Sequence, residues 1–221
     1  VRIVSTRAEQ VTTAKMSVAC YPGQMEPYDQ NAIHFFNQYQ EMDFEDVHQS
    51  WLAHLPNHAS SALDVGAGSG RDASALAKRG WDVVAVEPAT GLRKLGEEAS
   101  AGLSVTWVND RLPAINNIYA LGKQFGLILI SAVWMHLDFN EREQAFETLS
   151  DLLAPSGILV ITLRHGPGDG KRTFYKINRQ ELEELGRSRA LTQLPASDRD
   201  GTDRMGRHEI WWETLIFQQH Q

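Results

Sequence analysis

The chain holds one cysteine, Cys20, among 221 residues. A single thiol cannot close an internal disulfide, so the fold rests on its own core and suits a reducing compartment. No apolar run approaches the ~18 residues that a membrane-spanning helix needs. The opening Val1-Arg-Ile-Val-Ser-Thr-Arg7 also lacks the apolar centre of a secretory signal. The expected location is therefore the cytoplasm, with no membrane partner. Positive charge is scarce: 21 Lys and Arg stand against 28 Asp and Glu, for a net charge of −7. Such a chain has no electrostatic footprint for a phosphate backbone, so nucleic acid is not an expected partner. Internal repeats and low-complexity segments are absent. With 42% apolar residues, the chain can bury one full core but is too short for a comfortable second one.

The most informative stretch is Ala62-Leu-Asp-Val-Gly-Ala-Gly-Ser-Gly-Arg-Asp72. Ser61–Val65 reads as a buried strand that breaks at Gly66, and Ala73, Leu76 and Ala77 suit a helix packed on a sheet. The glycines thus lie between a strand and a helix. There they permit φ > 0 and let a ligand approach the backbone, next to the unpaired N–H groups of a helix start. A phosphate-cradling loop would end in Gly-Lys-Ser/Thr, which is missing. A dinucleotide fingerprint would place glycine or alanine where Arg71 stands. The observed order is acid first, then three alternate glycines. A second apolar run, Trp81-Asp-Val-Val-Ala-Val-Glu87, ends in an acid 21 positions after Gly66. That is close to the spacing of about 20 for a ribose-binding acid in a strand–helix–strand unit, and a carboxylate can accept bonds from two ribose hydroxyls.

Strands are predicted near 61–65, 82–87, 103–108, 126–131, 157–163, 189–194 and 210–218, with helices near 31–39, 44–55, 70–79, 90–100, 140–153 and 178–187. Leu127-Ile-Leu-Ile130 and Ile158-Leu-Val-Ile-Thr162 are continuously apolar, as central parallel strands covered on both faces should be. The alternation predicts an α/β fold, a doubly wound seven-stranded, mostly parallel sheet with an antiparallel last strand. Residues 1–26 show no periodicity and are expected to form a flexible arm, leaving 27–221 as a single domain. His48, His54 and His58 lack the cysteines and third-ligand spacing of a zinc site, so no metal is expected.

In an open α/β sheet, ligands bind outside the carboxyl ends of the strands. The exits read Asn109-Asp110-Arg111 after the third strand, Ser131-Ala-Val-Trp134-Met-His136 after the fourth and Arg164-His165-Gly166 after the fifth. Trp134 offers a flat apolar wall for a substrate. His136 has an ordinary pKa near 6.5, suited to taking a proton. Arg164 can clamp an anionic group through two bonds.

Asp64-Val-Gly-Ala-Gly-Ser-Gly-Arg-Asp72, Glu87 and Leu152-Leu-Ala-Pro-Ser-Gly-Ile-Leu together resemble the class I S-adenosylmethionine-dependent methyltransferases. The Gly-Arg-Asp ending and Val83-x-Ala-Val-Glu87 look most like small bacterial members acting on small molecules, tellurite-resistance-like proteins included. The Asn/Asp-Pro-Pro-Tyr signature of nucleic-acid amino-methylating enzymes is replaced by Ser131-Ala-Val-Trp. The resemblance implies S-adenosyl-L-methionine as cofactor and a small-molecule acceptor. It implies cofactor contacts from Asp64, Gly66, Ala67, Gly68 and Arg71 in the loop, from Glu87 to the ribose, from Asp110 and the Arg111 N–H to adenine, and from Ser131. Helices within 27–58 would form part of a lid, with Tyr39 closing over the cofactor. His136 and His165 are the candidate bases, needed for a hydroxyl acceptor but not for an amine or thiolate. Two other classes stay open, an NAD-dependent oxidoreductase and a non-catalytic S-adenosylmethionine-binding protein. The oligomeric state is not legible.

Overall fold

A computed structural model describes residues 22–197, 201, 203 and 205–220. Seven strands form one sheet in the order β3-β2-β1-β4-β5-β7-β6. They are β1 (Ser61–Val65), β2 (Asp82–Val86), β3 (Val105–Val108), β4 (Phe125–Ile130), β5 (Leu153–His165), β6 (Thr192–Leu194) and β7 (Trp211–Gln218). Strands β1 to β5 pair in parallel, while β7 runs antiparallel to both β5 and β6. This is the predicted α/β sheet. Successive strands are added outward in one direction from β1 to β3 and in the other from β4 to β5, so β1 and β4 mark the switch point where such sheets open a crevice.

The helices are α1 (Pro22–Gln30), α2 (Ala32–Gln40), α3 (Phe44–His48), α4 (Arg71–Lys78), α5 (Thr90–Ala99), α6 (Asn116–Tyr119), α7 (Phe139–Asp151) and α8 (Arg179–Ser188). Two differences from the sequence reading matter. Of the expected flexible arm 1–26, residues 1–21 lie outside the described residues, but 22–26 already belong to α1. The predicted helix 44–55 stops at His48 and resumes as a 3₁₀ turn at Leu52–His54. Asp43 caps α3 by accepting the Glu45 and Asp46 N–H groups, and Asp138 with Glu141 forms a reciprocal capping box on α7.

Each face of the sheet carries its own core, because successive strand residues point to opposite sides. Leu63, Ile128, Leu159 and Ile161 pack with Phe146, Leu149 and Leu182 of α7 and α8. Ala62, Leu127, Leu129 and Val160 pack with Phe44, Trp51 and Leu76 on the other side. A third cluster joins α2 to α5 through Ala32, Ala89 and Leu92, with Tyr28 and Phe35 against it. The N-terminal helices are thereby seated over the carboxyl ends of β1 and β2. Among the described residues, no helix is long and apolar enough to cross a membrane.

Candidate active site

The carboxyl ends of β1, β2, β4 and β5 open into one cavity of about 250 Å³, partly covered by α1, α2 and by Gly201, Asp203, Met205 and Arg207 ahead of β7. A single ordered water needs only about 10–15 Å³, so the space suits a larger ligand.

At one end lies the glycine loop. Gly66, Gly68 and Gly70 all have positive φ, between 55° and 74°. A side chain at Gly66 would collide with Val133, and one at Gly68 would reach within 3.5 Å of the Tyr39 ring. The loop is held to β2 by the Gly66 and Ala67 N–H groups, which donate to Val86 O. It is also held by the Gly68 N–H, which donates to Glu87 Oε2 at 2.9 Å. Glu87 Oε1 accepts the Ala89 N–H at 2.8 Å. Burial lifts the Glu87 carboxyl to about 7 despite these two donors. The backbone strip and this carboxylate both face the cavity.

The acid that opens the motif is elsewhere. Asp64 alternates with Leu63 and Val65, so its side chain points towards α4 beneath the loop, is 1% exposed and does not line the cavity. That placement corrects the expectation of a direct cofactor contact. Asp64 is held towards its protonated form, chiefly by burial and then by neighbouring Asp72. Burial alone would raise Asp72 too, yet Arg71 and His48 hold it well below the carboxylate range. Arg71 binds Asp72 through both carboxylate oxygens, at 2.6 and 2.9 Å. The Trp51 indole N–H donates to His48 Nδ1 at 2.9 Å. His48 therefore carries its proton on Nε2, which lies 3.0 Å from Asp72. Sequence reading missed this Trp51–His48–Asp72–Arg71 chain, because its members come from elements 20 or more residues apart.

Asp110, Arg111, Ser131 and Tyr39 line the cavity. Asp110 accepts the Arg111 and Asn117 N–H groups, so the Arg111 N–H expected to meet a ring nitrogen is turned to its neighbour's carboxylate. The Arg111 side chain reaches Glu141 at 3.0 Å.

Two expected substrate-side residues are displaced. Trp134 is fully buried in the core, edge-on to Phe146, and forms no wall of the cavity. His165 follows Arg164 on β5 and so faces the opposite side of the sheet. There it stacks on Trp211 at 3.7 Å and bonds Glu213 at 2.7 Å, outside the cavity.

His136 does line the cavity. Its Nδ1 lies 2.9 Å from Thr173 O, an acceptor only, so the proton sits on Nδ1. Nε2 then receives the Tyr28 hydroxyl at 2.9 Å. Burial lowers the His136 pKa and favours this neutral form. Arg172 donates to Tyr28 at 3.3 Å and lies over the Phe35 and Phe174 rings. Arg164 lines the cavity beside Thr162 and Phe174. The sequence hinted at Arg172 and Phe174 only as Lys-Arg-Thr-Phe-Tyr after a glycine-rich loop. Among the described residues, no three His, Cys, Asp or Glu are placed to hold a metal. His48 is engaged as described, and His54 contacts Pro195 O.

Residues 62–157 match the model of the methyltransferase domain family. An uncharacterized methyltransferase of Oceanobacillus iheyensis is 26% identical over 133 residues, covering 60% of this chain and 60% of that relative's length. The crystal structure of Burkholderia thailandensis 1,6-didemethyltoxoflavin-N1-methyltransferase, with bound 1,6-didemethyltoxoflavin and S-adenosylhomocysteine, aligns at a TM-score of 0.68 and 17% identity. The alignment covers 89% of this chain and 87% of that one. Magnesium protoporphyrin IX methyltransferase from Synechocystis PCC 6803, with bound S-adenosylhomocysteine, aligns at 0.66 and 13%, covering 90% and 96%. The matched residues hold the glycine loop and β2 to β4, and the sheet as a whole has the fold of these solved methyltransferases.

Proposed function

We propose that the protein transfers a methyl group from S-adenosylmethionine to an O, N or S atom of a small-molecule acceptor. The observation that carries this reading is Glu87, a buried strand-end carboxylate that faces the cavity and accepts the Gly68 N–H of the glycine loop. Each of its oxygens keeps acceptor capacity for a ribose hydroxyl, while the Cβ-free strip at Gly66 and Gly68 leaves room for a ligand at the backbone. Asp110 and Ser131 extend the contact surface, and Tyr39 covers the loop. Asp64 supports the loop from behind, and Arg71 holds Asp72. A small-molecule acceptor fits the partly covered cavity and the net charge of −7, which gives a nucleic acid no electrostatic foothold. The single cysteine is in keeping with the cytoplasm.

Bound there, S-adenosylmethionine supplies an electrophilic methyl group on a sulfonium. The chain's own task is to orient an acceptor lone pair and keep water away, and orientation alone is worth ~7–11 kcal/mol. For a hydroxyl acceptor, the proton is taken by Tyr28 oxygen as the Tyr28 O–H passes to His136 Nε2, and Thr173 O holds the imidazolium that forms. Arg172, 3.3 Å from the Tyr28 oxygen, stabilises the hydroxyl as it loses its proton.

The test is a thermal-shift comparison. S-adenosylhomocysteine should raise the melting temperature, by about 2.7 kcal/mol of stabilisation at a hundredfold excess over Kd, and NADH should not. A shift by NADH alone would return the site to the oxidoreductase class. Cofactor binding without methyl transfer to any metabolite fraction would leave a binding protein.

A further inference from the structure

Three guanidinium groups line the side of the cavity away from the glycine loop: Arg164, Arg172 and Arg207. Two of them have a carboxylate of their own. Arg172 binds Asp169 at 2.7 Å, and Arg207 binds Asp203 at 2.6 Å. Arg164 has none among the described residues. Its Nη2 donates to the neutral Pro167 carbonyl at 2.7 Å, and its guanidinium lies 4.6 Å from the centre of the Phe174 ring. Its Nε is buried without a hydrogen-bond partner.

An arginine only 7% exposed, with no counter-ion, is an expensive arrangement. Its environment works against the charge: burial first, then Arg207 and Arg172, lower the Arg164 pKa. The guanidinium still cannot shed its proton at working pH. Among the described residues, three cations against two carboxylates leave one positive charge in this corner. A fold that keeps such a group on a cavity wall gains from it when a ligand brings the missing anion. The same cavity offers the flat rings of Phe174 and Trp212 and the apolar side chains of Met135 and Val133, with Thr162 and Thr214 as neutral polar neighbours.

We infer that the acceptor is a small monocarboxylic acid with a flat apolar body, held through its carboxylate by Arg164. One unmatched charge calls for a monoanion. The planar guanidinium suits a carboxylate, which it can meet through two parallel bonds. A carboxylate held in this way has its lone pairs engaged, so it is the anchor, and the methylated atom is another group on the same molecule. The word acceptor rests on the methyl-transfer reading; the anion site itself does not.

The experiment is calorimetric titration of the full chain with benzoate and with benzamide, which match in shape and differ in charge. It is run with and without saturating S-adenosylhomocysteine. Benzoate should bind at least about tenfold more tightly, as a charged hydrogen-bonded pair implies. Arg164→Met should erase that preference while retaining S-adenosylhomocysteine binding and a melting temperature no lower than the parent's. Equal binding of the two probes by the parent chain, or binding of neither, overturns the proposal without any variant. A preference that survives in Arg164→Met also overturns it, as does a variant that merely loses stability, since that would make Arg164 a strut for the Pro167 loop. If benzoate preference holds while S-adenosylhomocysteine does not bind, the anion site stands and the methyl-transfer reading falls.

Discussion

At Gly66 the backbone holds φ at +74°, and the space a Cβ would fill belongs to Val133. Gly66→Ala should therefore combine strain with a clash and cost about 1–3 kcal/mol, visible in urea unfolding, along with the loss of S-adenosylhomocysteine binding. Glu87 makes a prediction about pH. Its folded pKa of about 7 exceeds the ordinary 4.5, so between these values the folded state holds a proton that the unfolded state has released. Stability of the unliganded protein should fall as pH rises through that window and level off above it. Ribose hydroxyls need the ionised form, so the melting-temperature gain from S-adenosylhomocysteine should be small at pH 5.5 and full above about pH 7.5. Glu87→Ala should abolish this pH dependence. The pair behind the loop separates by sign. Asp64 leans towards its neutral form, so Asp64→Asn should change stability little. Asp72 is the anion facing Arg71 and His48, and Asp72→Asn should cost about 3 kcal/mol by stranding those partners. Unfolding curves at pH 7 would show a single cost for both if the charges were shared equally.

Helices and strands decide which of these residues meet. Helix α1 brings Tyr28 to His136, 108 positions later, and places its hydroxyl on the imidazole nitrogen expected to act as the base. With a hydroxyl acceptor, Tyr28→Phe and His136→Ala should each lower kcat by about 10²–10⁴, and the double variant should lose little more than either. Additive losses in steady-state kinetics would break the relay. Helix α5 carries Gly96 against the Trp107 ring of β3, where a Cβ would collide. Gly96→Ala adds helix propensity worth about 1 kcal/mol but overpacks the contact at about 1–3 kcal/mol, so chemical denaturation should show no gain. The sequence announced β2, β4 and the centre of β5 through their apolar runs, and β1 through a short buried run that breaks at Gly66. It did not announce α1, whose Pro22–Gln30 has hardly any amphipathic pattern, nor the four-residue α6. Short or weakly patterned helices take their stability from what they pack on, and that partner is remote in sequence.

Across the whole molecule, the sheet order brings Glu87, His136 and Arg164 to one cavity beneath α1 and α2. The sequence by itself determined the α/β class, the glycine register from Gly66 to Gly70 and the strand-end acid at Glu87. These are local: a strand that breaks into alternate glycines and a second that ends in an acid carry their geometry within a few residues. The side of the cavity away from the glycine loop was decided only by tertiary structure. Neighbours on one strand diverge, so Arg164 reached the cavity and His165 went to Trp211 and Glu213. Trp134, one step from the cavity residue Val133, turned into the core against Phe146. Asp64 was drawn beneath its loop by the same alternation that buries Leu63 and Val65 on the far face. Which face a side chain takes, and whether a buried charge finds its partner, depends on segments tens of residues away. The unmatched charge of Arg164 emerged only once Asp169 and Asp203 had been taken by Arg172 and Arg207.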